Sequence, residues 1–388
     1  MEVRVQQMQE RLKQQDIDAA VLRLPENVVL FSQYWPRNGF SFVFIPAEGD
    51  AWIIAPEGDK QEPYQGTIKN VRIFPWIRIK DGNPYETLST YLQELAQQYG
   101  IKENAKIAVD NGADAIAPTL CAGESLLPGP TTMNMLKKAF NTEELIPINA
   151  AINEIRAIKT EADIKKLQVT NEISIQGLDH FSKLTEKPGL REIDIAAEVE
   201  AYIAKQASGY KGATYGRAWV QISSGARTAD AWFVGMISSS RKIQEGEFVM
   251  LEMGVVIDGY WADLSRTTVV GEPNEQQQKM LDVAKRAQAA GIQTVRDGVT
   301  VGEVDAAGRK IIEAEGMGEY FIHISGHGLG FAYHEPLPIL APGSDEVLKA
   351  GMVHSVEPGI YIPGVGGVRQ EANVLVMENG SRILGEAE

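Results

Sequence analysis

Three of the chain's five histidines, His323, His327 and His334, lie in the segment 323–335, where glycines flank His327 on both sides. Imidazoles can bind a metal ion or exchange protons with a substrate near neutral pH. Glycine, which lacks a side chain, lets the backbone approach such a group closely. Taken alone, the segment fits a surface turn equally well. His180 and His354 have no comparable neighbours in the sequence and are interpreted as structural residues.

Carboxylates in three other segments favour a metal site. Glu252 and Asp263 lie on either side of Asp258-Gly259, a dipeptide typical of a tight hairpin turn. Hairpin pairing could therefore bring both carboxylates to one place. Glu357 precedes a Pro-Gly turn, and Glu371 follows a short glycine-containing segment. A single carboxylate in a strand is usually solvated, but four of them with a histidine in this order indicate a shared site.

In these segments the chain resembles the pita-bread metallopeptidase family, which includes methionine aminopeptidase, aminopeptidase P, prolidase and creatinase. The similarity is strongest in 248–270, 323–335 and 352–376, and it is closest to the Xaa-Pro peptidase and creatinase branch. The resemblance implies an α+β fold. A C-terminal pita-bread catalytic domain would follow an N-terminal α/β creatinase-like domain.

The resemblance also implies five metal ligands, which in chain order are Glu252, Asp263, His327, Glu357 and Glu371. Asp263 and Glu371 would bridge two divalent ions. Glu252 would complete the coordination of the first ion, and His327 and Glu357 that of the second. Four carboxylates and one imidazole suit Mn²⁺ best, with Co²⁺, Fe²⁺ or Zn²⁺ as possible substitutes.

Catalytic roles follow from the same resemblance. Glu357 would act as the proton shuttle. His334 would contact the substrate carbonyl or the tetrahedral intermediate, and His323 would line the substrate pocket. Arg369 could orient Glu371 or another site carboxylate through a charge-assisted hydrogen bond. A surface ion pair is the alternative interpretation of Arg369.

The chain departs from the family pattern at two places. The family's first ligand is aspartate, whereas this chain has Glu252, whose extra methylene could weaken or abolish one ion site. In the segment 223–232, Arg227 lies near a position where peptidases usually have asparagine, and Trp232 replaces a catalytic histidine. Trp232 is either a core or rim aromatic residue or the sign of a pocket reshaped for a substrate that is not a normal peptide.

These observations leave three hypotheses for function. The leading one is a metal-dependent hydrolase of the Xaa-Pro peptidase type that cleaves small peptides before proline. The alternative is a creatinase-like or ectoine-hydrolase-like enzyme that cleaves a C–N bond in a small non-peptide solute, with or without metal. The third is a non-catalytic binding module built on the same fold.

Hydrophobic periodicity predicts the elements that must position these residues. An α/β domain is expected over 1–147 and a helix-covered, mainly antiparallel sheet over 148–388. Four prolines in 112–150 predict that no long element forms there. The predicted helices are one around Val5, Met8 and Leu12, one over 85–99, one from Glu161, one over 192–206, one over 274–296 and one from about 301. The predicted strands are 19–22, 40–45, 51–54, 106–109, 218–222, 248–251, 267–270 and 373–376.

Composition narrows the possible partners and location. The chain has 388 residues, of which 44% are hydrophobic and 23% charged, as in ordinary globular proteins. Its 37 basic and 52 acidic side chains give a formal charge of −15, which argues against a nucleic-acid partner. The single cysteine, Cys121, predicts a protein without internal disulfides and a cytoplasmic location. No membrane partner is expected, and the resemblance implies a homodimer.

Overall fold

The structure is a computed structural model that describes residues 2–37, 40–59, 61–76, 82–111, 129–232 and 237–386. Cys121 lies outside the described residues. The chain divides into two compact units, the first comprising residues 2–111 and 129–156 and the second residues 157–386. The expected domain boundary after residue 147 stays a prediction. Among the described residues, no helix combines the length and the apolarity needed to cross a bilayer.

The first unit is built around a mixed six-stranded sheet. Its strands are β1 (Ala19–Leu22), β2 (Phe42–Pro46), β3 (Trp52–Pro56), β4 (Asn70–Phe74), β5 (Ile107–Val109) and β6 (Leu145–Pro147). They lie in the order β4-β3-β2-β1-β5-β6. Strand β2 pairs antiparallel with β1 and β3, whereas the β3–β4, β1–β5 and β5–β6 pairs are parallel. The sheet confirms the four strands predicted for this part of the chain.

The first unit also has six helices among the described residues. They are α1 (Glu2–Gln14), α2 (Pro25–Ser32), α3 (Glu62–Gln65), α4 (Pro84–Gln98), α5 (Pro130–Phe140) and α6 (Asn149–Ala157). Leu88, Leu92 and Leu95 of α4 are buried at helical spacing. The expectation that Pro130 interrupts any long element is wrong, because Pro130 begins α5. Proline is well suited to the first turn of a helix, where its missing N–H is not needed.

In the second unit, a three-stranded antiparallel sheet forms the floor of the candidate site. Its strands are β7 (Gly216–Ser224), β8 (Phe248–Ile257) and β9 (Tyr260–Val269). The β8–β9 turn has positive φ at Asp258 (49°) and Gly259 (87°), the conformation that a two-residue type I′ turn requires. The predicted hairpin is therefore confirmed.

A five-stranded antiparallel sheet and a hairpin complete the strands of the second unit. They are β10 (His327–Gly328), β11 (Glu335–Ile339), β12 (Val353–Val356), β13 (Gly359–Ile362), β14 (Gly366–Arg369), β15 (Ala372–Met377) and β16 (Gly380–Ile383). The sheet has the order β11-β10-β12-β15-β16, and β13 pairs with β14. The predicted antiparallel character of this part of the chain is confirmed.

Long helices cover the second unit. They are α7 (Glu161–Leu184), α8 (Glu192–Ala207), α9 (Glu275–Thr294) and α10 (Val301–Ala314). Capping boxes begin α7 at Thr160 and α10 at Thr300, as the sequence predicted. Phe181 of α7 packs in one core with Leu251 and Met253 of β8. Because side chains alternate along a strand, this packing leaves the residues between them on the opposite face.

Candidate metal centre

Glu252 and Asp263 occupy that opposite face of the three-stranded sheet. Glu252 pairs with Ser265 across the β8–β9 hairpin, and Gly254 pairs with Asp263. Glu252 and Asp263 are therefore diagonal neighbours on one face, a separation that side chains can bridge. Both side chains are buried. The hairpin thus brings the two carboxylates together, as the sequence suggested.

His327 enters the site from the short strand β10. Its Nδ1 lies 3.0 Å from the carbonyl oxygen of Gly328, which leaves Nε2 to face the carboxylates. Nε2 lies 3.2 Å from Asp263 Oδ2 and 3.5 Å from Glu357 Oε1. A Cβ atom at Gly326 would lie 2.1 Å from the carbonyl oxygen of Ser355. The glycine before His327 is therefore required by the approach of the neighbouring strand.

Glu357 and Glu371 come from the ends of β12 and β14. Glu357 directly follows β12, and its Oε1 accepts a 3.0 Å hydrogen bond from Ser355 Oγ. Glu371 lies between β14 and β15, and its backbone N–H donates to the carbonyl oxygen of Ser265 on β9 at 3.2 Å. Two different sheets thus deliver these carboxylates to the same cavity as Asp263.

The five side chains predicted as metal ligands converge in three overlapping groups, one of which also contains His334, predicted as a catalytic residue. In each group, one ligand atom per residue lies within 4.8 Å of the others. The groups are Glu252 with Asp263 and Glu371, His327 with Glu357 and Glu371, and Asp263 with His327 and His334. Asp263 and Glu371 are each shared between two groups. The geometry therefore provides neighbouring sets of ligand atoms around common carboxylates.

The chemistry of this cluster fits a divalent cation. Burial and the neighbouring carboxylates raise the pKa of Asp263 and the pKa of Glu371 well above their ordinary values. Both carboxylate oxygens of Glu371 are buried without a hydrogen-bond partner among the described residues. An unpaired buried carboxylate is costly, and a cation between these groups would remove that cost.

Arg369 is buried and belongs to the cluster. Its Nη2 forms an ion pair with Glu252 Oε2, and its Nε donates to Ser265 Oγ at 2.8 Å. Nη1 donates to the carbonyl oxygen of Ala231 at 3.0 Å. Although burial alone lowers the pKa of Arg369, the surrounding acidic groups raise it well above its ordinary value. Of the two sequence interpretations, the arrangement fits the one in which Arg369 orients a site carboxylate, here Glu252.

Tyr333 is a site residue that the sequence interpretation did not include. Its hydroxyl group lies 2.7 Å from Glu252 Oε1 and 2.8 Å from Asp263 Oδ1. The tyrosine ring is buried and packs edge-on against Trp219, with ring centroids 5.0 Å apart. Its position directly before His334, inside the histidine-rich segment, is the signal that could have identified it.

The two remaining predicted histidines lie in different surroundings. The ring of His334 is 4.3 Å from that of His327 between centroids, and burial lowers the pKa of His334 to about 2. His334 is therefore a neutral imidazole beside the carboxylates. His323 has its Nδ1 2.7 Å from the carbonyl oxygen of Ile324 and its Nε2 3.0 Å from the hydroxyl of Tyr361. Both ring nitrogens of His323 are thus engaged within the protein.

Arg227 and Trp232, the two departures from the family pattern in the segment 223–232, lie in different surroundings. Arg227 Nη1 lies 2.9 and 2.7 Å from the two carboxylate oxygens of Glu192, on α8. The guanidinium group therefore forms an ion pair with a buried glutamate that is not one of the cluster residues. Trp232 is 46% exposed, which excludes the core interpretation. The carbonyl oxygen of the preceding Ala231 binds Arg369, so Trp232 lies one residue from the cluster's own hydrogen bonds.

Two family models match the chain. Residues 165–378 match the model of metallopeptidase family M24, and residues 4–158 match the creatinase/prolidase N-terminal domain. The first match covers the strands and turns that carry the whole cluster. The second corresponds to the first compact unit.

Similarity to named proteins covers most of the chain. A Xaa-Pro dipeptidase of Pyrococcus furiosus is 35% identical over 305 residues, 77% of this chain and 84% of the relative. The crystal structure of the prolidase from Pyrococcus horikoshii superposes with a TM-score of 0.78 at 28% identity, covering 99% of this chain and 98% of that one. An X-Pro aminopeptidase structure from Thermotoga maritima gives a TM-score of 0.77 at 26% identity, covering 97% and 98%.

Proposed function

The chain belongs to metallopeptidase family M24, and on that premise we propose that it is a metal-dependent hydrolase that cleaves small peptides before proline. The observation that carries the proposal is the buried carboxylate of Glu371. Neither of its oxygens has a hydrogen-bond partner among the described residues, and the residue belongs to two of the candidate ligand groups. The Xaa-Pro dipeptidase and prolidase relatives support this substrate class.

We propose that Glu252, Asp263, His327, Glu357 and Glu371 hold the divalent ions. If two ions are bound, Asp263 and Glu371 would be the shared carboxylates, since each belongs to two of the candidate ligand groups. Manganese suits this set because hard carboxylate oxygens outnumber the single imidazole. When bound, the ions supply Lewis-acid polarisation of the scissile carbonyl and a nucleophilic water at neutral pH.

The chain's own residues would handle the protons and orient the substrate. Glu357 accepts the proton of the attacking water and passes it to the proline nitrogen as the C–N bond breaks. Ser355 Oγ, 3.0 Å from Glu357 Oε1, holds this carboxylate in place. The neutral imidazole of His334 has one N–H group to donate to the carbonyl oxygen as negative charge develops there. Arg369 fixes the position of Glu252. His323, fixed through Tyr361, would form part of the pocket wall.

A substrate panel tests the proposed reaction. The purified protein, supplied with Mn²⁺ or Co²⁺, is incubated with Ala-Pro, with the tripeptide Ala-Pro-Ala and with Pro-Ala as the reversed control. Cleavage before proline in the dipeptide or the tripeptide, with Pro-Ala left intact, is the expected result. Failure to cleave either Xaa-Pro peptide with both metals would contradict the proposal.

A second candidate is a hydrolase of a C–N bond in a small non-peptide solute. The exposed indole of Trp232, where the family has a catalytic histidine, favours this reading. Elemental analysis of protein purified without chelator separates the two candidates. Bound divalent metal that is needed for activity supports the peptidase, whereas hydrolysis of creatine- or ectoine-like solutes by nearly metal-free protein supports the second candidate.

Two further properties are also proposals. A homodimer is proposed because isologous dimers are the commonest oligomers, and light scattering coupled to gel filtration would measure it. A cytoplasmic location is proposed because the sequence has one cysteine and so cannot form an internal disulfide. Fractionation of cells that produce the protein would test the location.

A further inference from the structure

We propose that Tyr333 competes with the metal ion at one end of the carboxylate cluster, so that occupancy of that end is controlled by a protein hydroxyl group. The inference rests on the proposed function, because it assumes that the cluster binds divalent ions. We call the two ends the Glu252 end, formed by Glu252 and Asp263 Oδ1, and the His327 end, formed by His327, Glu357 and Asp263 Oδ2. Glu371 belongs to a candidate ligand group at each end.

At the Glu252 end, both oxygens of Glu252 and Oδ1 of Asp263 already have a partner from the protein. Glu252 Oε1 and Asp263 Oδ1 lie 2.7 and 2.8 Å from the hydroxyl oxygen of Tyr333. Glu252 Oε2 is paired with the guanidinium of Arg369. The charge of Glu252 is therefore neutralised, and its hydrogen-bonding capacity is partly used, without any ion.

At the His327 end, the candidate ligand atoms have far fewer partners. Both oxygens of Glu371 are without a hydrogen bond among the described residues. His327 Nε2 faces Asp263 Oδ2 at 3.2 Å and Glu357 Oε1 at 3.5 Å. Within the part of the chain that the structure describes, Ser355 Oγ is the one hydroxyl group that donates to a carboxylate there, to Glu357 Oε1. His327, Glu357 and Glu371 therefore form a candidate ligand group in which few atoms already have a partner from the protein.

An ion shared by Glu252 Oε1 and Asp263 Oδ1 needs the lone pairs that now face the Tyr333 hydroxyl. Metal–oxygen distances of about 2.1 Å are shorter than these hydrogen bonds, so the ion and the hydroxyl cannot both take the position between the two oxygens. Tyr333 cannot move aside freely, because its ring packs against Trp219, Trp261 and His334 at centroid distances of 5.0, 6.0 and 4.4 Å. Binding at the Glu252 end therefore requires displacement of a packed side chain.

Equilibrium dialysis against buffered Mn²⁺ tests this inference on the full chain after removal of metal by chelator. Bound Mn²⁺ per chain is measured by elemental analysis over a range of free ion concentrations. The wild-type protein should bind Mn²⁺ in two separate steps, one of higher and one of lower affinity. Tyr333→Phe removes the competing hydroxyl and keeps the ring. It should therefore raise the Mn²⁺ affinity of the weaker binding step by about tenfold, the scale of one hydrogen bond. The affinity of the stronger binding step should stay unchanged.

Tyr210→Phe is the matched control, because it removes the same kind of hydroxyl group, which donates to Glu172 Oε2 at 3.1 Å outside the cluster. It should leave both steps unchanged. An unchanged or weaker second step in Tyr333→Phe would overturn the inference. Since the readout is bound metal, an enzyme that fails to cleave Xaa-Pro peptides would still give a clear answer here.

Crystals of the wild-type protein provide a second measurement that does not depend on folding of the variant. At limiting Mn²⁺, the anomalous signal should appear at the His327 end alone. At saturating Mn²⁺, a second signal should appear at the Glu252 end, with the Tyr333 hydroxyl no longer within hydrogen-bonding distance of Glu252. Equal signals at both ends under limiting Mn²⁺, with the Tyr333 hydroxyl in place, would refute the proposed competition.

Discussion

The buried carboxylates of the cluster lower the stability of the folded protein, and a bound cation would offset this loss. Asp263 and Glu371 are buried beside other carboxylates, which raises the pKa of each. Arg369 balances one negative charge by pairing with Glu252. More acidic groups than basic ones therefore remain in the cavity. Buried carboxylates with perturbed pKa values cluster at functional sites.

Glu357→Gln tests the residue assigned to proton transfer. The amide can neither accept the proton of the attacking water nor pass it to the leaving nitrogen. We expect kcat for an Xaa-Pro dipeptide to fall at least about 10²-fold, the usual scale of general acid–base catalysis. Glu346→Gln, at a half-buried glutamate outside the cluster, is the control and should retain the wild-type rate. A Glu357→Gln enzyme with near wild-type kcat would remove Glu357 from the mechanism.

At the scale of elements, the histidine-bearing turn before β11 is held by a buried ion pair. Lys159 Nζ lies 2.6 Å from Glu335 Oε2, with side chains 0% and 1% exposed. Glu335 Oε1 accepts the backbone N–H of Phe331 at 2.7 Å. This pair fixes both ends of the segment that carries Tyr333 and His334. Lys159, which lies just before α7, thus helps to position the segment that carries Tyr333 and His334.

Lys159→Met should destabilise the second unit strongly, because it leaves the Glu335 carboxylate buried and uncompensated. Loss of one partner of a buried pair costs about 3–5 kcal/mol, measurable as the free energy of unfolding in a urea titration. Lys166→Met is the matched control, since Lys166 is half-exposed and lies 3.7 Å from Asp258. That surface pair should contribute less than about 1 kcal/mol. Equal effects of the two variants would argue against a structural role for the Lys159–Glu335 pair.

Asp110, at the end of β5, joins that strand to the start of α2 in the first unit. Its Oδ2 accepts the backbone N–H groups of Arg23 and Leu24 and the side-chain amide of Asn27. Burial nevertheless raises the pKa of Asp110 to about 6. The folded protein therefore binds this proton more tightly than the unfolded chain. The stabilisation is present below about pH 4 and is lost as the pH rises through about 6.

Asp110→Asn should remove this pH dependence. The difference in unfolding free energy between pH 4 and pH 7 should shrink by about 2–3 kcal/mol relative to wild type, as measured by urea titration at each pH. Asp16→Asn, at a carboxylate exposed on the surface of the same unit and paired with Lys106, should not reduce this difference. An unchanged pH dependence in Asp110→Asn would show that Asp110 does not hold its proton in the folded state.

The elements that sequence patterns predicted are those with strong local signals. The type I′ turn at Asp258-Gly259 and the capping boxes at Thr160 and Thr300 identify their elements from a few residues. Helices α2 and α5 were not predicted, because α2 is almost entirely buried and lacks a polar face, and Pro130 was interpreted as an interruption. Tyr333 was missed for a different reason. Its role depends on a contact with strands some seventy positions earlier in the chain, which local periodicity does not reveal.

At the scale of the whole molecule, the second unit assembles its site from parts of the chain that are far apart in sequence. The β8–β9 hairpin supplies Glu252 and Asp263, the five-stranded sheet supplies His327, and the segments after β12 and β14 supply Glu357 and Glu371. Such a site forms only when the sheets of the second unit are packed together. Resemblance to a known family predicted the convergence of all five residues. The Asp258-Gly259 turn predicted it for Glu252 and Asp263 alone, and periodicity predicted only helices and strands.

If this cluster is the catalytic centre, hydrolysis should depend on the divalent metal that it binds. The most direct measurement is the rate of proline release from Ala-Pro by chelator-treated protein, followed as Mn²⁺ is returned and bound metal per chain is determined in the same samples. We expect almost no proline release without metal and a rate that rises with the amount of bound ion. A metal-free protein that releases proline at the full rate would contradict this expectation.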